Sequence, residues 1–257
     1  LLPAAQCAWE GTAADLAVQI RTAGLDRDEC YRVRDVSFAK EDLRFYLTEG
    51  YLVFGKAVDG YRRSALFVGE VEAGDAEVLV FPPTRSERLA LSRSAKSPNL
   101  NEHFKLAVMV FSDDTCEVLL KQILEAGEPR KSPEMGVLLE QEWNGTVANL
   151  TASFEIRLAE DALTEAGPSA GFFFCALRGD QLGNFDILFD PRREEQIVIG
   201  RVAERGGVAY FDTWTSFEAR SFRNQSRRAP GAGFRLSNYR VAARLEPDLT
   251  LKVTTRV

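Results

Sequence analysis

The fold class follows from a stretch near the N-terminus in which polar and apolar residues alternate, Arg32-Val33-Arg34-Asp35-Val36-Ser37-Phe38. A period of two places every second side chain on the same face of an extended strand, so this stretch predicts β structure. The pattern continues in Leu43–Leu47 and Tyr51–Phe54, and we interpret the intervening Thr48-Glu49-Gly50 as a hairpin turn. Further strands are predicted at 64–69, 77–81 and 105–111.

Two segments carry helix signals instead. Thr12 and Asp15 have the spacing of a helix N-cap and its third residue, and Gly24 lies where that helix would end. The clearest helix is predicted over 113–126, because Ser112 can cap it and two aspartates occupy its first turn. The remaining pattern is that of strands.

The second part of the chain resembles the first in pattern. Beyond residue 136, strands are predicted at 137–143, 152–158, 171–178, 185–189, 196–202 and 208–217. Pro-x-Arg-x-Glu occurs at 83–87 and, with an offset of 108 residues, at 191–195, each time after a strand, a turn and a strand. Duplication of a β unit is one interpretation, and the ordinary similarity of hairpins is the other.

We therefore predict a mainly β protein with a minor α content, built as an antiparallel β-sandwich or from barrel-like sheets, with an N-terminal helix and one internal helix. Five segments are expected. They are an N-terminal helical segment at 1–30, a first β-rich half at 31–127, a second β-rich half at 137–219, a linker at 220–236 and the start of a further β domain at 237–257.

The composition limits the chemistry. His103 is the single histidine among 257 residues, so neither a two-histidine zinc site nor a mechanism with two imidazoles can form within this sequence. We expect His103 itself to be a surface residue. The net charge of −6 disfavours nucleic acid as a partner, and no apolar run is long enough to cross a bilayer. The small residues of Leu1–Cys7 are typical of the mature end of an exported protein, which predicts a secreted or periplasmic location.

Two groups of residues could bind a metal or form a covalent link. Asp180, Asn184 and Asp186 offer oxygen ligands around a turn, as calcium prefers, although a plain hairpin turn explains the same residues. Cys7 and Cys30 flank the first predicted helix and could form a disulfide in an oxidising compartment. The alternative is that both thiols are free.

Aromatic residues form a third candidate site. Tyr210 and Trp214 share one face of a predicted strand, and together with Trp143 they could stack on a sugar ring. Neither a nucleophile motif nor a phosphate-binding loop occurs in the sequence.

The segment Ser237–Val257 contains an alternating strand, a turn with Asp248 and a second alternating strand. It resembles the opening strands of the β-saddle domain of membrane alanyl aminopeptidase-like zinc metallopeptidases, which belong to the gluzincin clan. Upstream, Tyr31–Gly60 and Ser97–Phe111 resemble the extra N-terminal region of exported bacterial members of that family.

The resemblance implies a non-catalytic, β-rich N-terminal module that positions or shields a downstream peptidase domain of the same polypeptide. The family's H-E-x-x-H motif, its downstream glutamate ligand and its Gly-rich substrate loop have no counterpart in this sequence. We therefore expect no cofactor in this chain, and zinc only in a domain that follows Val257. The alternative function is a carbohydrate- or ligand-binding β module that uses exposed aromatic side chains.

Overall fold

A computed structural model describes residues 11–69, 76–126, 130–147, 151–164, 171–224 and 238–256. The helices are α1 (Ala13–Thr22), α2 (Arg85–Ala95), α3 (Thr115–Glu125), α4 (Pro133–Val147), α5 (Thr151–Leu163) and α6 (Arg220–Arg223). The strands are β1 (Leu25–Lys40), β2 (Leu43–Gly55), β3 (Ser64–Gly69), β4 (Ala76–Val80), β5 (Leu100–Phe111), β6 (Arg130–Lys131), β7 (Phe173–Gly179), β8 (Gly183–Phe189), β9 (Ile197–Arg205), β10 (Val208–Phe217), β11 (Arg240–Leu245) and β12 (Leu251–Arg256).

Ten of these strands form one antiparallel sheet in the order β10-β9-β8-β7-β5-β3-β2-β1-β6. β4 lies end to end with β3, so that each pairs with β2 on one side and β5 on the other. Strands of both predicted β-rich halves thus belong to the same sheet, and the pairing of β5 with β7 connects the two halves. β11 and β12 form a separate two-stranded sheet. The prediction of a mainly β, antiparallel fold is confirmed.

The first two strands correct one prediction. β2 runs without interruption through Thr48-Glu49-Gly50, so the hairpin turn predicted there is wrong. β1 and β2 are joined instead at Glu41 and Asp42, where Glu41 has a φ of 55°. At the position of the predicted turn, the alternation of buried and exposed residues along β2 changes register. Leu47 and Leu52 both point into the same core although they are five positions apart. A strand with strict alternation would place them on opposite faces.

The large sheet is curled around its inner face. The ring of Phe173 on β7 lies 5.9 Å from Phe38 on β1 and 5.5 Å from Phe45 on β2. β7 and β1 are four positions apart in the sheet, a separation of about 19 Å if the sheet were flat. The concave side therefore encloses the main core, which Leu91 of α2 and Leu119 of α3 complete.

The outer face of the sheet is covered by α1, α4 and α5. Here the sequence predictions were wrong, because the segments 137–143 and 152–158, predicted as strands, lie within α4 and α5. Helix α2 was not predicted at all. The predicted strands at 64–69, 77–81, 171–178, 185–189, 196–202 and 208–217 coincide with β3, β4, β7, β8, β9 and β10 to within three residues at their ends. The strand predicted at 105–111 is the second part of β5, which begins five residues earlier at Leu100.

Two segment boundaries also differ in detail. Helix α3 begins at Thr115 after Asp114, not directly after Ser112. The hydroxyl of Ser112 instead donates to Asp161 and accepts from the amide of Phe172, so it links three segments of the chain. The first residues of the predicted 220–236 linker form the short helix α6.

Candidate functional site

The predicted oxygen ligands lie around the turn between β7 and β8. Asp180 and Asn184 are exposed there, and Gly183 between them adopts a φ of 69°. Asp186 lies within β8 on the outer face of the sheet, paired with Ala176, and burial raises the pKa of its carboxyl group to about 6. In the ranges that the structure describes, no group of three or more His, Cys, Asp and Glu residues could hold a metal ion.

The three candidate aromatic residues are separated. Trp214 is 5% exposed in the inner core, with its ring 5.6 Å from that of Phe185. Trp143 is 3% exposed and packs in the core of the outer face, whereas Tyr210 is 42% exposed. Since the two indoles lie on opposite faces of the sheet and are both buried, the three rings do not form the exposed platform suggested by the sequence.

Cys30 is a buried thiol in β1, and burial raises its pKa to about 11. Cys7 lies outside the described residues, so a Cys7–Cys30 disulfide stays a prediction. His103 is exposed, as predicted, in β5. Its neighbour Glu102 points to the other face, where its carboxylate accepts from the amides of Gln181 at 2.6 Å and of Leu182 at 2.9 Å. Glu102 therefore stabilises the turn after β7.

A cavity of about 30 Å³ lies on the outer face of the sheet, where α1, α4 and α5 meet the connection between β2 and β3. Its walls are mainly apolar side chains, provided by Ile20, Ala23, Val58, Val110, Trp143, Phe154 and Leu158. Its polar lining consists of Lys56, Tyr61, Arg63 and Ser64. The sequence had singled out only Trp143 among these residues.

The polar side of the cavity is built by a tight turn. Val58 and Tyr61 pair across Asp59 and Gly60, which have φ angles of 53° and 76°. Two successive residues with positive φ are typical of a type I′ hairpin turn, for which Asp-Gly is a strong sequence signal. This signal, with lysine and arginine on its flanks, could have pointed to the cavity.

Arg63 is held in place by this turn. Its Nη1 donates to the carbonyl oxygens of Val58 at 2.6 Å and Tyr61 at 3.3 Å, and its guanidinium lies 5.4 Å from the centroid of the Tyr61 ring. Burial lowers the pKa of Arg63 from its ordinary value. Among the described residues, neither Arg63 nor Lys56 has a carboxylate within 4.0 Å, the distance of an ion pair. Within the described ranges neither cation has a direct ion-pair partner, although the charges of Asp59 and Asp161 act on Arg63 from a greater distance.

A buried ionic network fixes helix α5 beside the cavity. Asp161 on α5 pairs with Arg157 at 3.3 Å and with Arg192 at 2.6 Å, and Arg157 also contacts Asp190 at 3.1 Å. Since Arg192 and Asp190 follow β8, the network attaches the helix to the sheet. Burial raises the pKa of Asp161, against the opposing effect of its hydrogen bond from Ser112 and of the arginines.

The β11–β12 hairpin (residues 240–256) presents a second surface. Its directly paired residues share a face. One face, called here the apolar face, carries Val241, Ala243, Leu245, Leu251, Val253 and Thr255. The opposite face carries Arg240, Ala242, Arg244, Lys252, Thr254 and Arg256. The four large side chains of the apolar face are between 53% and 64% exposed.

Comparisons with known proteins identify no relative. No protein-family model matches the chain, and neither a curated protein nor a solved structure resembles it significantly. In the described part of the chain, no helix has the length and apolar character needed to cross a membrane.

Proposed function

We propose that this chain is a non-catalytic β-rich module of an exported zinc metallopeptidase, which uses the apolar face of the β11–β12 hairpin to dock onto a downstream peptidase domain of the same polypeptide. The peptidase part of this proposal rests on the sequence resemblance of residues 237–257. The docking part rests on the hairpin.

The observation that supports docking is the exposure of the apolar face. A two-stranded hairpin is at best marginally stable by itself in water, and a third strand or a packed layer is needed to stabilise it. Leu245 pairs with Leu251 and Ala243 with Val253, so the apolar side chains form one continuous stripe. Covering such a stripe with a neighbouring sheet removes apolar surface from water at a gain of about 25 cal/mol per Å².

The charged face of the hairpin indicates which of its two faces would contact the peptidase domain. Arg244 and Lys252 each lie 3.4 Å from Glu246, and Arg240 and Arg256 are paired residues on the same side. Charged side chains lose hydration when they are buried, whereas aliphatic side chains gain free energy. The hairpin is therefore expected to dock through its apolar face and to leave its basic face in water.

Hydrogen exchange tests the docking. In the proposed longer polypeptide that includes the peptidase domain, amides of 240–256 are expected to exchange at least tenfold more slowly than in the 257-residue chain alone. Leu251→Asp should abolish the difference, and Thr254→Asp, which places the same charge on the opposite face, should leave it intact. Equal exchange in both proteins would exclude docking through this hairpin.

Zinc analysis tests the assignment as non-catalytic. The purified chain is expected to contain no stoichiometric zinc by elemental analysis and to release no product from aminoacyl reporter substrates. The natural reading frame beyond Val257 is expected to encode H-E-x-x-H. One tightly bound zinc in this chain, accompanied by turnover, would refute the proposal.

A further inference from the structure

The outer-face cavity combines an apolar interior with two cations at one side. Trp143, Phe154 and Leu158 form part of its apolar walls, and Lys56 and Arg63 lie among its polar lining residues. Known binding sites for small molecules have this composition, namely a mainly apolar concavity with a few polar groups that fix the orientation of the ligand.

The charges indicate the sign of the ligand. A partly buried charge is normally compensated by a partner. The nearby Arg62 follows this rule, because it pairs with Asp26 at 2.9 Å. The half-buried Arg63 instead donates from Nη1 to two backbone carbonyl oxygens, and the carboxylates that act on it, Asp59 and Asp161, lie beyond ion-pair distance. Among the described residues, the exposed Lys56 has no ion-pair partner either. An anionic group between the two cations would add a direct ion pair to each of them.

The volume indicates the size of the apolar part. About 30 Å³ is roughly twice the volume that a single water molecule requires. An apolar body of a few carbon atoms would therefore fill the interior. A longer chain would project past Tyr61, which is well exposed at the rim.

We propose that this cavity binds a small organic carboxylate with a short branched aliphatic body, the carboxylate at Lys56 and Arg63 and the body against Trp143 and Phe154. The carboxylate suits this position because a guanidinium and an ammonium donate charge-assisted hydrogen bonds to its two oxygens. The site is independent of the docking proposed for the β11–β12 hairpin.

Titration with 3-methylbutanoate, followed by ¹⁵N–¹H NMR of the whole chain, tests this site. Saturable shifts are expected at the indole of Trp143 and at the amides of 56–64. The neutral isostere 3-methylbutanamide and the cation 3-methylbutylamine should bind at least about tenfold more weakly, as expected for the loss of a charge-assisted hydrogen bond. Equal binding of the amide would overturn the assignment of an anion site.

Three variants locate the binding site. Lys56→Gln changes an exposed side chain and should weaken binding about fivefold or more. Ala23→Leu should weaken it at least about tenfold, because the larger side chain occupies the cavity. The matched control Lys121→Gln removes an exposed lysine of α3, which packs on the inner side, and should leave the affinity unchanged. Unchanged affinity in both cavity variants, or the absence of saturable shifts in wild type, would overturn the proposal.

Discussion

The carboxylate of Asp42 forms a bidentate ion pair with the guanidinium of Arg223, with N···O distances of 2.8 and 3.1 Å. Asp42 also accepts from the amide of Arg220 at 2.9 Å, and Glu41 accepts from the amide of Ser221 at the same distance. These bonds join the turn between β1 and β2 to helix α6, which follows β10. They thus connect distant parts of the curled sheet.

Asp42→Ala is expected to lower the free energy of unfolding by about 3 kcal/mol. Asp42 is only 6% exposed, and breaking a buried ion pair leaves its remaining partners uncompensated. Urea unfolding measures the change. Asp28→Ala, at an exposed position of β1, should change the free energy by less than about 0.5 kcal/mol.

A double-mutant cycle with Arg223→Gln tests whether the pair itself is responsible. The double variant should lose less stability than the sum of the two single variants, because both remove the same interaction. Strict additivity would show that Asp42 stabilises the fold through Arg220, whose amide donates to it and whose Nε lies 3.6 Å from it, and not through Arg223.

Gly50→Ala is expected to destabilise the protein by about 1–3 kcal/mol, because the added methyl group overpacks the sheet. A Cβ at Gly50 would lie 2.4 Å from the carbonyl oxygen of Val68 and 2.8 Å from the ring of Phe67. Gly24→Ala is the matched control, since a Cβ there meets no atom within 4 Å. The melting temperatures of both variants are compared by thermal unfolding. Equal melting temperatures would contradict the close approach of Val68 and Phe67 to Gly50.

The strand segments could largely be predicted from the sequence because a period of two survives wherever one face of a strand is buried. The prediction failed at Thr48-Glu49-Gly50, where polar residues and a glycine suggested a turn. There Glu49 instead pairs across the sheet with Arg32 at 2.8 Å and Arg34 at 3.1 Å. Such pairing depends on a neighbouring strand and has no local signal.

The sequences of α4 and α5 contain local helix signals, but their apolar runs led to the prediction of strands. Pro133 is the first residue of α4, a position that favours proline. In α5, Phe154, Leu158 and Ala162 recur every four residues and all pack in the outer core. The cavity could not be predicted in the same way, because it depends on α1 and the connection between β2 and β3 meeting α4 and α5, which lie much later in the sequence.

The repeated Pro-x-Arg-x-Glu pattern gives two different structures. At 83–87 it starts α2, because Thr84 and Glu87 form a capping box. The position equivalent to Thr84 is Arg192, since 84 and 108 sum to 192, and arginine has no hydroxyl to cap a helix. The second segment is accordingly a turn that precedes β9.

Thr84→Ala is therefore expected to cost about 1 kcal/mol of stability, as measured by urea unfolding. The variant loses the hydrogen bond from the Glu87 amide to the threonine hydroxyl, which is 3.4 Å long. Thr84→Ser retains the hydroxyl and should remain within about 0.5 kcal/mol of wild type. If serine and alanine were equally destabilising, the lost methyl group rather than the cap would be the cause.

Asp186 predicts a specific dependence of stability on pH. Burial raises the pKa of its carboxyl group from 3.8 to about 6 in the folded protein. Between these values the folded state holds a proton that the unfolded chain has released, so the contribution of this group to stability is complete below about pH 4 and is lost as the pH rises to about 6. The loss amounts to at most about 3 kcal/mol.

Asp186→Asn removes this titration and should therefore be more stable than wild type at pH 7, with a smaller advantage at pH 4.5. Urea unfolding of wild type and variant at the two pH values measures this advantage. The other carboxyl groups are present in both proteins, so their contributions cancel in the comparison. Asp180→Asn, at the exposed turn of the same hairpin, controls for the introduction of an amide and should change the free energy of unfolding at pH 7 by less than about 0.5 kcal/mol. An advantage of Asp186→Asn that is equal at both pH values would mean that burial does not raise this pKa, and that the amide acts through a different contact.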